Sequence, residues 1–347
     1  MRNARAAHPT RRGILAAGGA IGLGAALAAC GDDDAKSGSG GDAGAGKSGP
    51  WSFKDDRGTT VKLDSVPKNI VAFTGVAAAL WDYGVEVKGV FGPTTTKDGK
   101  PDVQAGDLDV AKVTVLGNEW GKLNVEKYAT LAPEVLVTTT FDTAGTLWSV
   151  PEESKDKVAK LAPSVAISVF DRQLTQPLQR MWELAESLGA DMKAKKVTDA
   201  KAAFEKAAAR LRAAAKAKPE IRVLAGSASA DLFYVSGTNL SVDLEYFKAL
   251  GVNFVEPSEE AKKATGGWFE SLSWENVDKY PADVIIMDDR ASTIQPADIT
   301  EGTWKQLPAV KAGQVIARSP EPILSYDKCT PLLNNLAEAI ENAKKVG

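Results

Sequence analysis

From Lys68 onward the chain alternates short apolar runs with segments of helical period, and that alternation restricts its fold more than any other feature. "NIVAFT", "VKGVFG", "PEVLVTTT" and "PSVAISVF" read as strands, with "GVAAALWDYG", "NVEKYATLA" and "ESKDKVAKLA" as helices among them. After Pro219 the same order returns. "IRVLAGSA", "LFYVSG", "VNFVEP", "ADVIIMDD" and "QVIARS" read as strands, and "SVDLEYFKALG", "SWENVDKYP", "TWKQLPAV" and "CTPLLNNLAEAIENAKKV" as helices. Strands separated by crossover helices belong to parallel sheets covered on both faces. The expected fold class is therefore α/β, in two similar lobes built on mostly parallel sheets.

Between the lobes, "PLQRMWELAESLG" places Leu178, Met181, Ala185 and Leu188 on one face of a helix. A second helix, 191–218, places Val197, Ala200, Phe204, Ala207 and Leu211 on one face and is closed by Pro219. At 1.5 Å per residue it would span about 42 Å, the length of a rigid strut. The expected division is a first lobe over 51–190, an interlobe helix over 191–218 and a second lobe over 219–347.

The lobes also repeat in detail. "LNVEKYATLAPEVLV" and "LSWENVDKYPADVII" each run Leu, a capping residue, an apolar residue, Glu, a helix, then a strand. Glu126 precedes Val135, and Glu275 precedes Val284, by the same nine residues. Asn124 and Ser273 are good N-caps, and an acid in the first helical turn is favourable by about 0.3–1 kcal/mol, so capping alone accounts for both glutamates.

The front of the chain is of another kind. Arg11 and Arg12 precede sixteen uncharged residues, Ile14 to Ala29, too short and too rich in Ala and Gly for a membrane span. Leu27-Ala28-Ala29-Cys30 resembles a lipobox, in which the leader 1–29 is removed and Cys30 carries lipid. "TRRGIL" resembles a twin-arginine export motif. Residues 30–50, rich in Gly, Ser and Asp, read as a tether with a reach of about 25 Å. "GDAGAGKS", 41–48, matches a phosphate-loop pattern, but a Gly-Ser run precedes it and Gly49-Pro50 follows, so no strand and helix present it to a phosphate.

Without residues 1–29 the acids outnumber the bases by seven, which argues against nucleic acid as a partner. Cys329 is then the only thiol left besides Cys30, and no histidine remains, since His8 lies in the leader. This excludes a Ser-His-Asp or Cys-His catalytic set, an imidazole zinc site and histidine ligation of haem.

"PKNIVAFTGVAAALWDYGVEVKGVFG", "GNEWGKLNVEKYATLAPEVLVTTT", "WFESLSWENVDKYPADVIIMD" and "WKQLPAVKAGQVIA" together resemble the binding proteins that deliver ferric siderophores, cobalamin or haem to ABC importers. The resemblance spans Val61 to Val346. It implies that Glu126 and Glu275 dock onto the two permease subunits, one glutamate per lobe. It also implies a ligand cleft between the lobes. The loops at issue carry Thr74, Trp120, Phe141 and Trp148 from the first lobe, and Tyr234, Trp268, Phe269, Arg290, Arg318 and Tyr326 from the second.

Trp120, between Glu119 and Gly121 in a glycine-rich loop, and Trp268, after Gly266-Gly267, suit a cleft, whereas Trp81, Trp182 and Trp304 suit the core. Arg290 and Arg318 could meet oxygens of a ligand, or form salt bridges to Asp288, Asp289 or Glu321; the sequence leaves both open. Tyr326 could reach an iron-bound oxygen or simply flank its helix. Cys329 is assigned no chemistry.

The leading expectation is a monomeric, lipid-anchored receptor on the outer face of the cytoplasmic membrane, not an enzyme. It takes a ferric siderophore, with the hydroxamate type favoured because of the acidic net charge, and has no cofactor and no direct metal ligands. Cobalamin or haem is the alternative within the resemblance, and a carboxylate-dependent surface hydrolase the alternative outside it.

Overall fold

The computed structural model describes residues 49–347. The leader, the lipidation at Cys30, the phosphate-loop pattern and all of the tether up to Ser48 lie outside the described residues. No helix among the described residues is long and apolar enough to cross a membrane.

The body opens with an antiparallel hairpin, β1 (Trp51–Lys54) and β2 (Thr60–Leu63). The first sheet holds β3 (Ile70–Phe73), β4 (Gly89–Phe91), β5 (Thr114–Val115), β6 (Val135–Thr140) and β7 (Ser164–Ser168) in the order β5-β4-β3-β6-β7. Every pairing in it is parallel. β3 and β6 are buried at every residue, as strands covered on both faces must be. The helices of this lobe are α1 (Thr74–Asp82), α2 (Val125–Thr130), α3 (Lys155–Leu161) and α4 (Thr175–Ser187).

A long helix follows, α5 (Lys195–Ala217), about 34 Å in length at 1.5 Å per residue. Val197, Phe204, Ala207, Leu211 and Ala214 form its buried stripe. The four residues before it do not join the helix, because the Asp191 carboxylate accepts the backbone N–H of Lys193 in a local turn.

The second sheet comprises β8 (Arg222–Ala228), β9 (Leu232–Ser236), β10 (Asn253–Phe254), β11 (Phe269–Ser273), β12 (Val284–Asp288) and β13 (Val315–Arg318). Its order is β11-β9-β8-β12-β13, with β10 also on β8. Here β8, β10, β12 and β13 pair in parallel, three of the five pairings, and β9 pairs antiparallel with both β8 and β11, so the sheet is mostly parallel with an antiparallel edge. Its helices are α6 (Val242–Ala249), α7 (Glu259–Lys262), α8 (Gly302–Gln306), α9 (Pro308–Lys311) and α10 (Tyr326–Asn342).

Segments that differ from the sequence expectation do so for local reasons. "TWKQLPAV" is two helices, because Leu307, standing before Pro308, is held extended at φ −56°, ψ 133°. Trp274–Lys279 winds as a 3-10 helix rather than an α-helix. The strands of the β1–β2 hairpin, four residues each, and the five-residue edge strand β11 are too short for periodicity to mark them.

The internal repeat appears in the sheets. β6 lies beside β3, and β12 beside β8, so each glutamate-bearing helix leads into the strand next to its lobe's first central strand. One apolar core runs through the first sheet, α4, α5, α10 and the inner face of the second sheet, and a smaller one lies on the outer face of the second sheet around Phe233, Trp274 and Trp304. The lobes thus share a packed spine along α5 and α10 and face each other at the carboxyl ends of their strands.

Candidate functional site

The loops that leave the carboxyl ends of β3, β6 and β7 meet those that leave β8, β12 and β13, the position at which open α/β sheets bind ligands. A cavity of about 470 Å³ lies there, walled by Phe141, Trp148, Trp268 and Phe269, with Asp288, Arg290, Arg318 and Glu321 at its polar end. A second cavity of about 510 Å³ adjoins it behind Trp120 and Arg290.

The aromatic wall is continuous across both lobes. Phe73 packs on Trp120 at 5.5 Å between ring centroids, Trp120 on Trp148 at 5.8 Å, Trp148 on Phe141 at 4.5 Å and Phe141 on Trp268 at 6.2 Å. Tilted and edge-to-face pairs at these separations are favourable beyond area burial. Local sequence sets each ring. The three threonines that end β6 are buried, and the Thr138 hydroxyl donates to the Trp148 carbonyl at 2.9 Å while the Trp148 N–H donates to the Thr139 carbonyl at 3.0 Å. The loop is thereby folded back on its own strand. Phe73 finds its seat because Gly92 has φ +97° and no side chain; a Cβ there would come within 2.5 Å of the Phe73 ring.

The arginines are held by carboxylates. Arg290 donates from Nε and Nη2 to Asp288, the latter at 2.6 Å, and from Nη1 to Glu321. Arg318 is 5% exposed and makes a two-point pair with Asp243, at 2.7 Å and 2.9 Å. Its partner is on α6, not among Asp288, Asp289 and Glu321. Glu321 sits between Pro320 and Pro322 and also accepts the indole N–H of Trp148 at 3.2 Å. Burial pushes its carboxyl up to about 7, against the opposing pull of Arg290 and Trp148.

Not every residue expected at the cleft reaches it. Thr74 is buried, and its hydroxyl donates to the Phe91 carbonyl at 3.0 Å, inside the sheet. Tyr326 is buried under α5, against Trp182 at 5.7 Å and Phe204 at 5.3 Å, because the first turn of α10 packs on the spine rather than the cleft. Tyr234 backs Phe269 at 5.1 Å and exchanges a hydrogen bond with Ser229, behind the wall. Trp304 is core, whereas Trp81 and Trp182 are half-buried beneath Lys112 and Lys201. Cys329 is buried, its thiol pushed up by desolvation and donating to the Ile323 carbonyl.

Glu126 and Glu275 are both exposed, in the first turn of their helices, and line neither cavity of the cleft. Asn124 caps its helix by accepting the Lys127 N–H at 2.9 Å, whereas the Ser273 hydroxyl instead lowers the Glu275 pKa. Glu321 was visible in the sequence only as a salt-bridge partner, although an acid between two prolines just after a strand is a signal. Asp243 and Gln104, whose amide donates to the Glu321 carbonyl at 3.3 Å, gave none.

Two α/β lobes joined by one long helix, with an aromatic cleft at the facing strand ends, define a two-lobed ligand receptor. The periplasmic binding protein family model matches residues 70–322, and the chain belongs to that family. The crystal structure of DesE, a ferric-siderophore receptor protein from Streptomyces coelicolor, is 97% identical, covers 86% of this chain and 100% of its own, and gives a TM-score of 0.85. The iron(3+)-hydroxamate-binding protein FhuD of Bacillus subtilis is 25% identical over 85% of this chain and 87% of its own length. The petrobactin-binding protein YclQ from Bacillus subtilis, 18% identical over 84% of this chain and 99% of its own with a TM-score of 0.62, shares the fold.

Proposed function

We propose that this chain is an extracytoplasmic receptor that captures a ferric siderophore, of hydroxamate type, and delivers it to the permease of an ABC importer. The observation that carries this reading is the continuous aromatic wall from Trp120 through Trp148 and Phe141 to Trp268 beside a cavity of about 470 Å³. Rigid rings offer a large, partly apolar chelate contact area at little entropic cost. The similarity to a ferric-siderophore receptor and to a ferric hydroxamate-binding protein supports the same ligand class. The iron arrives fully coordinated, so the receptor supplies shape and polarity rather than metal ligands.

Trp120, Phe141, Trp148, Trp268, Phe269 and Arg290 contact the chelate in this reading, while Arg318 supports the floor through Asp243. Residues 1–29 act as an export leader, used by the twin-arginine route, and residues 30–50 tether a monomeric body to lipid on Cys30. The lobes close modestly, limited by α5 and by the core that both share with α10. Glu126 and Glu275, exposed and matched by the internal repeat, then dock onto the two permease subunits.

Tryptophan fluorescence of the purified protein tests the reading, titrated with a ferric trihydroxamate, ferric catecholate, ferric citrate, cobalamin and haem. Saturable quenching by the trihydroxamate, weakened in Trp120→Ala or Trp268→Ala, is the expected result. Saturation by cobalamin or haem alone would transfer the receptor to that ligand.

A further inference from the structure

Both arginines at the polar end of the cleft are already neutralised within the chain. Arg318 is bound by Asp243, and the Arg290 guanidinium has Asp288 along one edge and Glu321 on Nη1. The cleft lining therefore presents Asp142, Asp288 and Glu321 against Arg290 and Arg318, with Asp243 close behind. Its balance is negative.

Asp288 belongs to Arg290's own strand end, and a contact across two residues is local. Glu321 is different, since it comes from the loop after β13 and is set there by several restraints. The prolines on either side restrict its backbone, its carbonyl accepts the Gln104 amide, and its carboxylate accepts Trp148 Nε1 and Arg290 Nη1. Its side chain is only 11% exposed. The carboxylate takes up Nη1 of Arg290, whose Nε and Nη2 are already on Asp288, so every edge of the guanidinium has an acceptor.

Resting on the receptor reading above, we propose that Glu321 is a specificity-determining residue. Its carboxylate occupies the ligand-facing nitrogen of Arg290, keeps anionic iron chelates out, and restricts the cleft to chelates of neutral or positive charge. The chemistry of the chelates makes this a sharp division. Three hydroxamates cancel the charge of ferric iron, whereas three catecholates leave three negative charges, which would meet Glu321, Asp288 and Asp142, while the two cations lining this cavity, Arg290 and Arg318, are both already paired.

The test compares three probes on the purified protein: a neutral ferric trihydroxamate, the same chelate with an ammonium tail, and a ferric tris-catecholate. At pH about 8, where the Glu321 carboxyl is ionised, the wild type binds the first two and the tris-catecholate at least about a hundredfold more weakly. Glu321→Gln narrows that ratio by about tenfold or more, and a cooperative urea unfolding transition shows that the variant folds. In the double variant Arg290→Gln/Glu321→Gln the gain disappears, because no guanidinium is released.

A second readout follows from protonation. The charged groups facing Glu321 are Arg290 and Asp288 from the end of β12, Arg318 from β13 and Asp142 from the loop after β6. With its carboxyl near 7, the wild type's relative affinity for the tris-catecholate rises between pH about 8 and about 6, and Glu321→Gln is flat over that range. An unchanged ratio in Glu321→Gln, a flat wild-type profile, or wild-type binding blind to charge overturns the proposal while leaving the receptor reading intact. A wild type that binds no chelate of any charge removes the receptor reading, and this proposal with it.

Discussion

Trp148 of the first lobe donates its indole N–H to the carboxylate of Glu321 in the second lobe at 3.2 Å, a direct hydrogen bond across the cleft. The same carboxylate holds Arg290, so the aromatic wall and the polar end of the cleft are mechanically one unit. Trp148→Phe keeps most of the ring packing against Phe141 and loses the donor. It lowers stability by about 0.5–1.5 kcal/mol, read from the urea unfolding midpoint.

Glu321 also gives stability a pH dependence of definite sign. Burial raises its carboxyl to about 7, above the ordinary 4.5, so in that interval the folded chain binds a proton the unfolded chain has released. Stability therefore falls as pH rises from about 4.5 to about 7, by on the order of 2–3 kcal/mol, and Glu321→Gln flattens this limb. Urea midpoints across the interval measure it; a midpoint that climbs with pH in the wild type contradicts the assignment.

Asp283 acts with the opposite sign. Burial alone would raise its pKa, but Lys345 and the backbone N–H groups of Arg222, Gly347 and Val346 more than compensate and bring it to about 2. Its contribution is present above the ordinary 3.8 and is lost as pH falls toward about 2. Asp283→Ala releases the end of the chain and costs about 2–4 kcal/mol at neutral pH, with a shallower acid limb on thermal melting.

The buried Arg318–Asp243 pair joins the end of β13 to α6, and removing one partner strands a charge. Asp243→Asn costs about 3–5 kcal/mol, whereas Asp243→Leu with Arg318→Met restores most of the loss. Denaturant unfolding of the two variants separates a structural pair from a ligand contact, and the affinity of the double variant for a neutral chelate stays near that of the wild type.

Glu126→Ala and Glu275→Ala leave chelate affinity unchanged and cost less than about 1 kcal/mol each, since both side chains are exposed first-turn acids. Cellular uptake of the ferric chelate falls sharply in either variant and is abolished in the pair. Uptake at the wild-type rate in the double variant excludes docking through these residues.

Periodicity, capping and chain punctuation are local properties, and they carried much of this protein. The α/β class, the two lobes, a long helix with Val197, Phe204, Ala207 and Leu211 on its buried face, and the matched glutamates of the repeat were all legible before any coordinates. Aromatic residues beside glycines pointed to the cleft at Trp120 and Trp268. Thr74 and Tyr326, adjacent in sequence to equally plausible loops, turned inward, because the direction of a side chain at a strand end is set by what packs on the far side. The antiparallel course of β9 against β8 and β11 likewise depended on how the strands pair in the folded sheet. Above all, the charge of the cleft was decided only by tertiary structure: whether Arg290 and Arg318 are free cations depends on Glu321 and Asp243, brought from 31 and 75 residues away to within hydrogen-bond distance.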